Sequence, residues 1–386
     1  MGGFIKMKLL VVTPYFFPKI GGMENYAYNI AKGLKEKYGW EVVVATSNHE
    51  ERKYKEELMD GMKIYRLPRW FKVSNTPINP LWYFQIKRII KNEKPDIINS
   101  HTPVPFISDV TARVCGDLPF ILTYHAASLY KYKNPIFNIL IFFYKILIER
   151  NTIKKAKIII VVTEFIKIKS SKNLRKKMYV IYNSISEKDI LLKTKIKVKN
   201  NKIIFLANLD KAHSWKGLDD IIEAIKWYVQ NFNENIELLI VGDGDYKKHY
   251  EKVVEKLKIG KYVKFVGAKF GKDKYNLLKK AKILLTYPKT ANDAFPTVFL
   301  EAWASLVPII SSNIGVIPHI VDDRKNGYLV KPDSPKELAE GIYDLIQNNK
   351  LRNKLIINGL YKVRDFTWNK QTIKTKEIIM GVLNEK

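Results

Sequence analysis

Cysteine is all but missing from the chain. Cys115 stands alone among 386 residues, which excludes an intrachain disulfide and a cysteine-built metal site and permits a reducing compartment. Long apolar runs are missing as well. The longest, 136–148, contains Asn138 and Lys145 and falls short of the roughly 20 residues that span a bilayer, so no segment is expected to cross a membrane. The first residues are broken by Lys6 and Lys8 and do not read as a secretory leader, and Lys6 stands where a myristoylation signal starting at Gly2 requires Ser or Thr. Acidic side chains are scarce, with 38 Asp+Glu against 67 Lys+Arg and a formal net charge of +29. Such an excess attracts polyanions, whether nucleic acid, anionic lipid or phosphorylated substrate. A Lys- and Ile-rich composition that spreads lysines over solvated faces explains the total equally well. No nucleic-acid-binding motif accompanies the charge, so nucleic acid is not expected as a partner.

What is present is an alternation of short apolar strands and amphipathic helices. The length fits two domains of about 150–200 residues each, and 46% hydrophobic with 27% charged residues is a globular composition. Strands are predicted over 8–13, 41–46, 97–100, 120–123 and 157–163, with Met23, Tyr26, Ala27, Ile30, Ala31 and Leu34 at helical spacing after the first. The pattern thins over the polar, lysine-rich 182–199. It resumes with strands over 203–207, 237–241, 263–266, 283–287, 308–311 and 328–330 and a helix over 334–347. The expectation is an α/β chain of two doubly wound domains, 1–185 and 186–366, followed by a terminal helix over 367–386. Ligands of open parallel sheets bind beyond the carboxyl ends of the strands, so the expected site is a cleft between the two domains.

Three segments beyond strand ends carry residues suited to phosphate and sugar chemistry. Pro18-Lys19-Ile20-Gly21-Gly22-Met23-Glu24 pairs glycines ahead of a helix; backbone N–H groups there can reach a phosphate, and the same pattern serves an ordinary turn. Lys216-Gly217 follows the strand at 203–207. A lysine in that place can meet the charge growing on a departing diphosphate, although by number alone it is one more surface lysine. The third segment, 293–301, sets Pro296 in the first turn of a helix, Asp293 in the loop before it and Glu301 about two turns in. Both carboxylates can accept bonds from sugar or ribose hydroxyls. Asp293 would serve equally as a cap, and Glu301, amid Val298, Leu300, Ala302 and Trp303, calls for a partner. His101 and His125 each follow a predicted strand, a placement open to a functional or a structural pair. Gly242-Asp243-Gly244 only begins the dinucleotide fingerprint, because Lys247 stands at the third glycine. Metal is not expected: no Asp-x-Asp pair is read at a strand end, and Asp322-Asp323 are adjacent in a loop.

Taken in order, these segments resemble the family 4 glycosyltransferases, retaining enzymes of the GT-B fold, over most of the chain. The resemblance rests on the Gly-Gly-x-Glu loop at 21–24, Thr123-Tyr124-His125, Tyr182-Asn183-Ser184 and Lys216-Gly217. It continues through Val241-Gly242-Asp243-Gly244, Val266-Gly267, the two acids of 293–301, 310–315 and Asn326-Gly327-Tyr328-Leu329-Val330. It implies two Rossmann-like domains facing a central cleft, a nucleotide-sugar donor as substrate, and no cofactor or metal. By the same resemblance, Gly21 and Gly22 lie at the donor's phosphates or sugar, His125 hydrogen-bonds that sugar and Lys216 neutralises the leaving diphosphate. Asp293 would hold sugar hydroxyls, the N–H groups of Phe295, Thr297 and Val298 would line the diphosphate, and Glu301 would grip the ribose. Backbone groups around Val266 and Gly267 would read the base, and the terminal stretch 367–383 would pack back on the N-terminal domain. Three departures stand out. Asn208 occupies the family's arginine position, with His213 or Lys211 as candidate substitutes; Asp293 is one methylene shorter than the usual Glu; Ser184 replaces a turn glycine.

The expected activity is retaining transfer of a hexose from a UDP- or GDP-linked sugar to a hydroxyl of a glycan or lipid-linked glycan, in polysaccharide or glycolipid biosynthesis. Alternatives are an epimerase or hydrolase of nucleotide sugars on the same fold and, ranked below them, a basic nucleic-acid-binding protein. Acceptor contacts are expected from Trp70, Phe71, Trp82 and Tyr83, near Arg66, Arg69 and Lys72. The segment 130–150 sets Lys131, Lys133, Lys145 and Arg150 around Ile136, Phe137, Ile139, Leu140, Phe142 and Phe143. Packing of this helix on the sheet is the first expectation and contact with an anionic membrane surface the second. The expected location is cytoplasmic, with the inner face of the cell membrane as a peripheral site.

Overall fold

The computed structural model describes residues 7–19, 21–73, 76–130, 134–191, 200–232 and 235–384. Of the features singled out above, residues 1–6, Ile20, Lys131, Lys133 and 192–199 lie outside the described residues. The chain forms two compact units. The first comprises described residues up to Ser184 together with Trp368 onward, and the second runs from Ile185 to Thr367.

The first unit holds β1 (Lys8–Thr13), β2 (Glu41–Ser47), β3 (Lys55–Met59), β4 (Met62–Leu67), β5 (Phe71–Val73) and β6 (Thr76–Ile78). It continues with β7 (Ile97–Thr102), β8 (Phe120–Tyr124), β9 (Ile158–Val161) and β10 (Met178–Val180). Eight of them form one sheet in the order β10-β9-β8-β7-β1-β2-β4-β3, parallel except where β3 meets β4, while β5 and β6 pair apart from it. Strands such as Leu9, Leu10, Val11 and Val12 are apolar on successive residues and buried throughout, as a parallel sheet covered on both faces requires. Burying each such side chain contributes about 1.5–3 kcal/mol. The ladder of β7 runs on to His101 and Thr102, opposite Thr123 and Tyr124, so His101 lies within the strand rather than after it.

The helix Trp368–Asn384 belongs to this first unit and lies on the helix Gly22–Tyr38. The approach is close: a Cβ on Gly33 would fall 2.4 Å from Thr372 Oγ1. Lys37 Nζ donates to Asn369 Oδ1 at 2.6 Å, and Lys157 Nζ donates to the Val382 carbonyl at 2.7 Å.

The helix Pro135–Tyr144 continues through a π-helical turn, Lys145–Glu149, into Arg150–Lys155. Here the structure corrects the expectation that the apolar side packs on the sheet. Ile136, Leu140 and Leu147 are 77%, 61% and 64% exposed. The inward face is held by polar contacts instead: Tyr144 donates to Asp109 at 3.0 Å, Thr152 to the other Asp109 oxygen at 2.5 Å, and Tyr124 to Glu149 at 2.9 Å. Burial lifts the Glu149 carboxyl above its ordinary range.

The second unit carries β11 (Lys202–Leu206), β12 (Glu237–Val241), β13 (Val263–Phe265), β14 (Ile283–Thr286), β15 (Ile309–Ser312) and β16 (Tyr328–Val330). All pairings are parallel, in the order β13-β12-β11-β14-β15-β16. This is a doubly wound order whose direction reverses between β11 and β14; in the first unit the reversal falls between β1 and β7. Leu218, Ile221, Ile222 and Ile225 of the helix Leu218–Asn231 share a core with Leu338, Ile342 and Leu345 of the helix Pro335–Gln347.

At the reversal, backbone meets backbone. Gly217 has φ 72°, and a Cβ there would lie 1.9 Å from the Tyr287 carbonyl oxygen at the end of β14. Gly217→Ala therefore forces apart the loops after β11 and β14, and loss of about 2 kcal/mol or more is expected in urea unfolding of the second unit. A variant as stable as the parent would show that the two loops separate freely.

Candidate functional site

The pocket of the second unit opens at this reversal. It is lined by Lys216, Trp215, Thr286, Asp293, Pro296 and Val298 among others. Lys216 ends the 3₁₀ segment Lys211–Lys216, and its Nζ stands 5.3 Å from the Trp215 ring centroid. No carboxylate pairs with it among the described residues, and it is the one cation among the pocket's lining residues.

The helix Thr297–Ala304 starts one residue later than expected, with Pro296 at its N-cap and no side chain capping it. The N–H groups of Thr297 and Val298 are therefore left for a ligand, in the usual manner of a helix start. Glu301 sits just over one turn in, nearer the helix start than predicted. Its partner is Lys274, whose Nζ donates to Glu301 Oε1 at 2.6 Å, a pairing that spacing along the chain did not disclose. Phe295 is buried by its side chain against Phe366.

Two positions are more constrained than the sequence indicated. The Val266 N–H donates to Ile240 and the Gly267 carbonyl accepts from Gly242, so half of the backbone groups proposed to read a base are engaged in the unit's own framework. The Val266 carbonyl and the Gly267 N–H remain. Gly242 and Gly244 serve packing: a Cβ on Gly242 would meet the Ala207 carbonyl at 1.8 Å, and one on Gly244 would meet Leu209 at 2.4 Å. Asn208 is exposed at the end of β11. Of its candidate substitutes, His213 Nδ1 lies 3.5 Å from Asp210 and the Lys211 N–H donates to Asp245 at 2.8 Å.

One Asp-x-Asp spacing does follow β12, against the expectation. Asp243 Oδ1 accepts the Gly244 N–H at 2.9 Å and Asp245 Oδ1 accepts the Lys211 N–H, so each carboxylate commits one oxygen to local backbone. Among the described residues, no three His, Cys, Asp or Glu side chains cluster as a metal site would need.

In the first unit, His101 Nδ1 and His125 Nε2 stand 2.9 Å apart, with nearly parallel rings. One imidazole donates and the other accepts, so at most one of them can carry a charge. Burial pushes His101 down to about 3 and His125 well below its ordinary value, with His101 adding to the latter. Tyr26 sets its ring edge against His125 at 4.8 Å, and its buried hydroxyl has no hydrogen-bond partner among the described residues. In the sequence Tyr26 looked like one more apolar-face residue of a helix. Gly21 is the N-cap of Gly22–Tyr38, and Glu24 folds beneath it toward Lys19, at 3.6 Å. Among the described residues nothing lies within 4 Å of where a Gly22 Cβ would be, so they do not demand glycine there.

The neutral imidazoles predict an acid response. Below a pH of about 6.5 the unfolded chain takes up protons that folded His101 refuses, so stability present above that pH is lost progressively toward pH 3. At pH 5 the effect of His101 is about 2 kcal/mol. His101→Gln should flatten the fall of the first unit's urea midpoint between pH 7 and pH 5; an equally steep fall would contradict the neutral pair.

Comparisons with known proteins extend this geometry. The family model "Glycosyltransferase Family 4" matches residues 20–188, and "Glycosyl transferases group 1" matches 186–361. An uncharacterized glycosyltransferase of Methanocaldococcus jannaschii is 29% identical over 377 residues, covering 97% of this chain and 98% of that protein. The phosphatidyl-myo-inositol mannosyltransferase of Mycobacterium tuberculosis is 20% identical over 387 residues, covering 97% and 98%. Among solved structures, a glycosyltransferase from Rickettsia africae superposes with TM-score 0.75 at 19% identity, covering 99% of this chain and 100% of that one. Anabaena HepE in complex with UDP superposes with TM-score 0.72 at 17% identity, covering 97% and 100%. With both halves matched and the fold shared, the chain belongs to the family 4, or group 1, glycosyltransferases of GT-B fold.

Proposed function

We propose that the chain transfers a hexose, with retention of configuration and without metal or other cofactor, from a UDP- or GDP-linked donor to a hydroxyl of a glycan or lipid-linked glycan. The observation that carries this reading is the pocket where Lys216, Asp293 and the uncapped start of the helix Thr297–Ala304 come together. A leaving diphosphate gains negative charge as its bond to the sugar breaks, and a fixed ammonium with helix-terminal N–H groups stabilises that charge where it develops. Asp293 accepts bonds from the sugar's hydroxyls. Glu301 binds the ribose through the oxygen that Lys274 leaves open, and Phe295 helps shape the diphosphate end. The Val266 carbonyl and Gly267 N–H meet the base. Neutral His125 bonds the transferred sugar, supported by His101, and the open space over Gly22 admits a ligand close to the backbone. The UDP and UDP-glucose complexes of Anabaena HepE and the lipid-directed name of the mycobacterial relative favour this donor class and a glycan or lipid-linked acceptor.

Lys216→Ala should lower turnover roughly 10²–10³-fold with the fold intact, the scale of removing one preorganised donor to developing charge. The same assay in EDTA should lose nothing. Near-normal turnover in the variant would make Lys216 a bystander, metal-dependent activity would sink the metal-free reading, and nucleotide sugar consumed without acceptor would favour an epimerase or hydrolase.

The same reading includes a cytoplasmic protein held at the inner face of the membrane. No helix among the described residues is long and apolar enough to cross one. What supports surface contact is the exposed row Ile136, Ile139, Leu140, Phe143 and Leu147, with Lys145 and Arg150 beside it. Each basic residue near anionic lipid contributes on the order of 1 kcal/mol, and salt screens it. Sedimentation with anionic vesicles should be salt-sensitive and fall when Ile139 and Leu140 become Ser; protein left in the supernatant at low salt would exclude this contact.

A further inference from the structure

A second polar constellation lies in the first unit, on the other side of β1 from the histidine pair. The carboxyl ends of β1, β2 and β4 stand side by side, with Thr13 opposite Thr46 and Thr46 opposite Arg66. Arg66 is only 2% exposed. Its Nε donates to Glu57 at 2.6 Å and one terminal nitrogen donates to the Phe17 carbonyl at 2.7 Å, while the other terminal nitrogen, Nη1, is buried without a partner among the described residues. Arg69 donates from Nη2 to the His49 carbonyl at 3.2 Å, and its Nε is likewise buried and unpartnered among the described residues. His49 Nδ1 is a third such atom; its Nε2 lies 3.9 Å from Glu50.

Lys19 lies over the Tyr15 ring, 2.9 Å from its centroid, with Glu24 at 3.6 Å. Its pKa is pushed down to about 8, chiefly by burial, with Lys72 and Arg69 adding repulsion against the attraction of Glu24. His49 is held below its ordinary value by burial, and the cations Arg66, Lys19 and Arg69 oppose its protonation while Glu50 favours it. These groups therefore lie within electrostatic reach of one another. Glu57 and Glu24 answer Arg66 and Lys19, but Arg69 and Lys72 have no carboxylate partner among the described residues.

Buried donors without acceptors are destabilising. Two such donors, Arg66 Nη1 and Arg69 Nε, with the unpartnered His49 ring nitrogen beside them among mutually repelling cations, describe a receptor for an acceptor-only anion with several oxygens. We propose that Lys19, His49, Arg66, Arg69 and Lys72 bind a phosphate group carried by the acceptor. The identification of its owner rests on the glycosyltransferase reading, because the second unit has its own candidate for the donor's phosphates at Lys216. Exposed Trp70 and Phe71, between Arg69 and Lys72 in the chain, add apolar surface next to the anion.

The site has its own reporter in His49. With carbon-labelled histidine, the six histidine signals can be followed by NMR and the His49 signal assigned through His49→Gln. Inorganic phosphate at constant ionic strength should move that signal saturably and raise the His49 pKa, since a bound anion offsets the surrounding cations. Arg69→Gln and Lys72→Gln, chosen because buried Arg66 also braces Glu57, should each weaken binding about tenfold, the scale of one charge-assisted hydrogen bond. Lys216→Ala should leave the titration unchanged. A still His49 signal, or a double Arg69→Gln, Lys72→Gln variant that titrates like the parent, would overturn the proposal.

Competitors then separate the sources. Displacement by glycerol phosphate identifies a soluble phosphate ester, and displacement only by phosphatidylglycerol vesicles, against phosphatidylcholine controls, identifies a lipid headgroup. Failure of both would overturn assignment to an acceptor. Sugar transfer is read in none of these arms, so an error in the transferase reading would surface separately, as absent turnover in the parent protein.

Discussion

The carbonyl of Tyr287 leaves no room for a side chain on Gly217, and the placement of Lys216 depends on that contact. Parallel strands whose connections depart in opposite directions always leave an opening at their carboxyl ends. Here the opening is narrow because the loop after β11 is pressed onto the end of β14. Lys216 is thereby fixed in the same pocket as Asp293 and Val298, although nearly eighty residues of chain lie between the first two. A lysine on a freer loop would have to be ordered by the substrate, at the expense of binding.

The first unit divides its strand ends differently. On the β7–β8 side of β1 stand two imidazoles that burial keeps neutral, with an aromatic edge against them. On the β2–β4 side stand guanidinium and ammonium groups. Neutral hydrogen-bonding partners suit sugar hydroxyls, which carry no charge to compensate, whereas fixed cations suit anions. A single sheet thus presents two chemically distinct rims, and the large positive charge of the chain acquires local meaning at only one of them.

How far the sequence could be read depended on how local the cause was. The central strands were legible because a parallel sheet buried on both faces demands consecutive apolar residues, as in Ile158–Val161. The antiparallel edge was not: Lys55–Met59 is largely exposed and rich in charge, so no apolar period marks it. The glycine loop, Lys216 and the 293–301 element were legible as motifs, but Lys274 as the partner of Glu301 was not, since 27 residues separate them. The helix Pro135–Tyr144 reads as core by composition. Its orientation is decided by Asp109 and Glu149, polar anchors whose role exists only once the chain has folded.

The return of the helix Trp368–Asn384 to the first unit bears on the order of assembly. Gly33 is pared to a hydrogen so that Thr372 can lie against the helix Gly22–Tyr38, and Trp368 reaches the edge of Tyr26. As the ribosome releases the chain from its amino end, the second unit's strands are all available by Val330, while the first unit still lacks a covering element. The unit begun first is therefore finished last. Until Trp368–Asn384 emerges, Tyr26 and the histidines beside it wait behind an uncovered helix, so a chain cut before Trp368 would leave that helix without its cover.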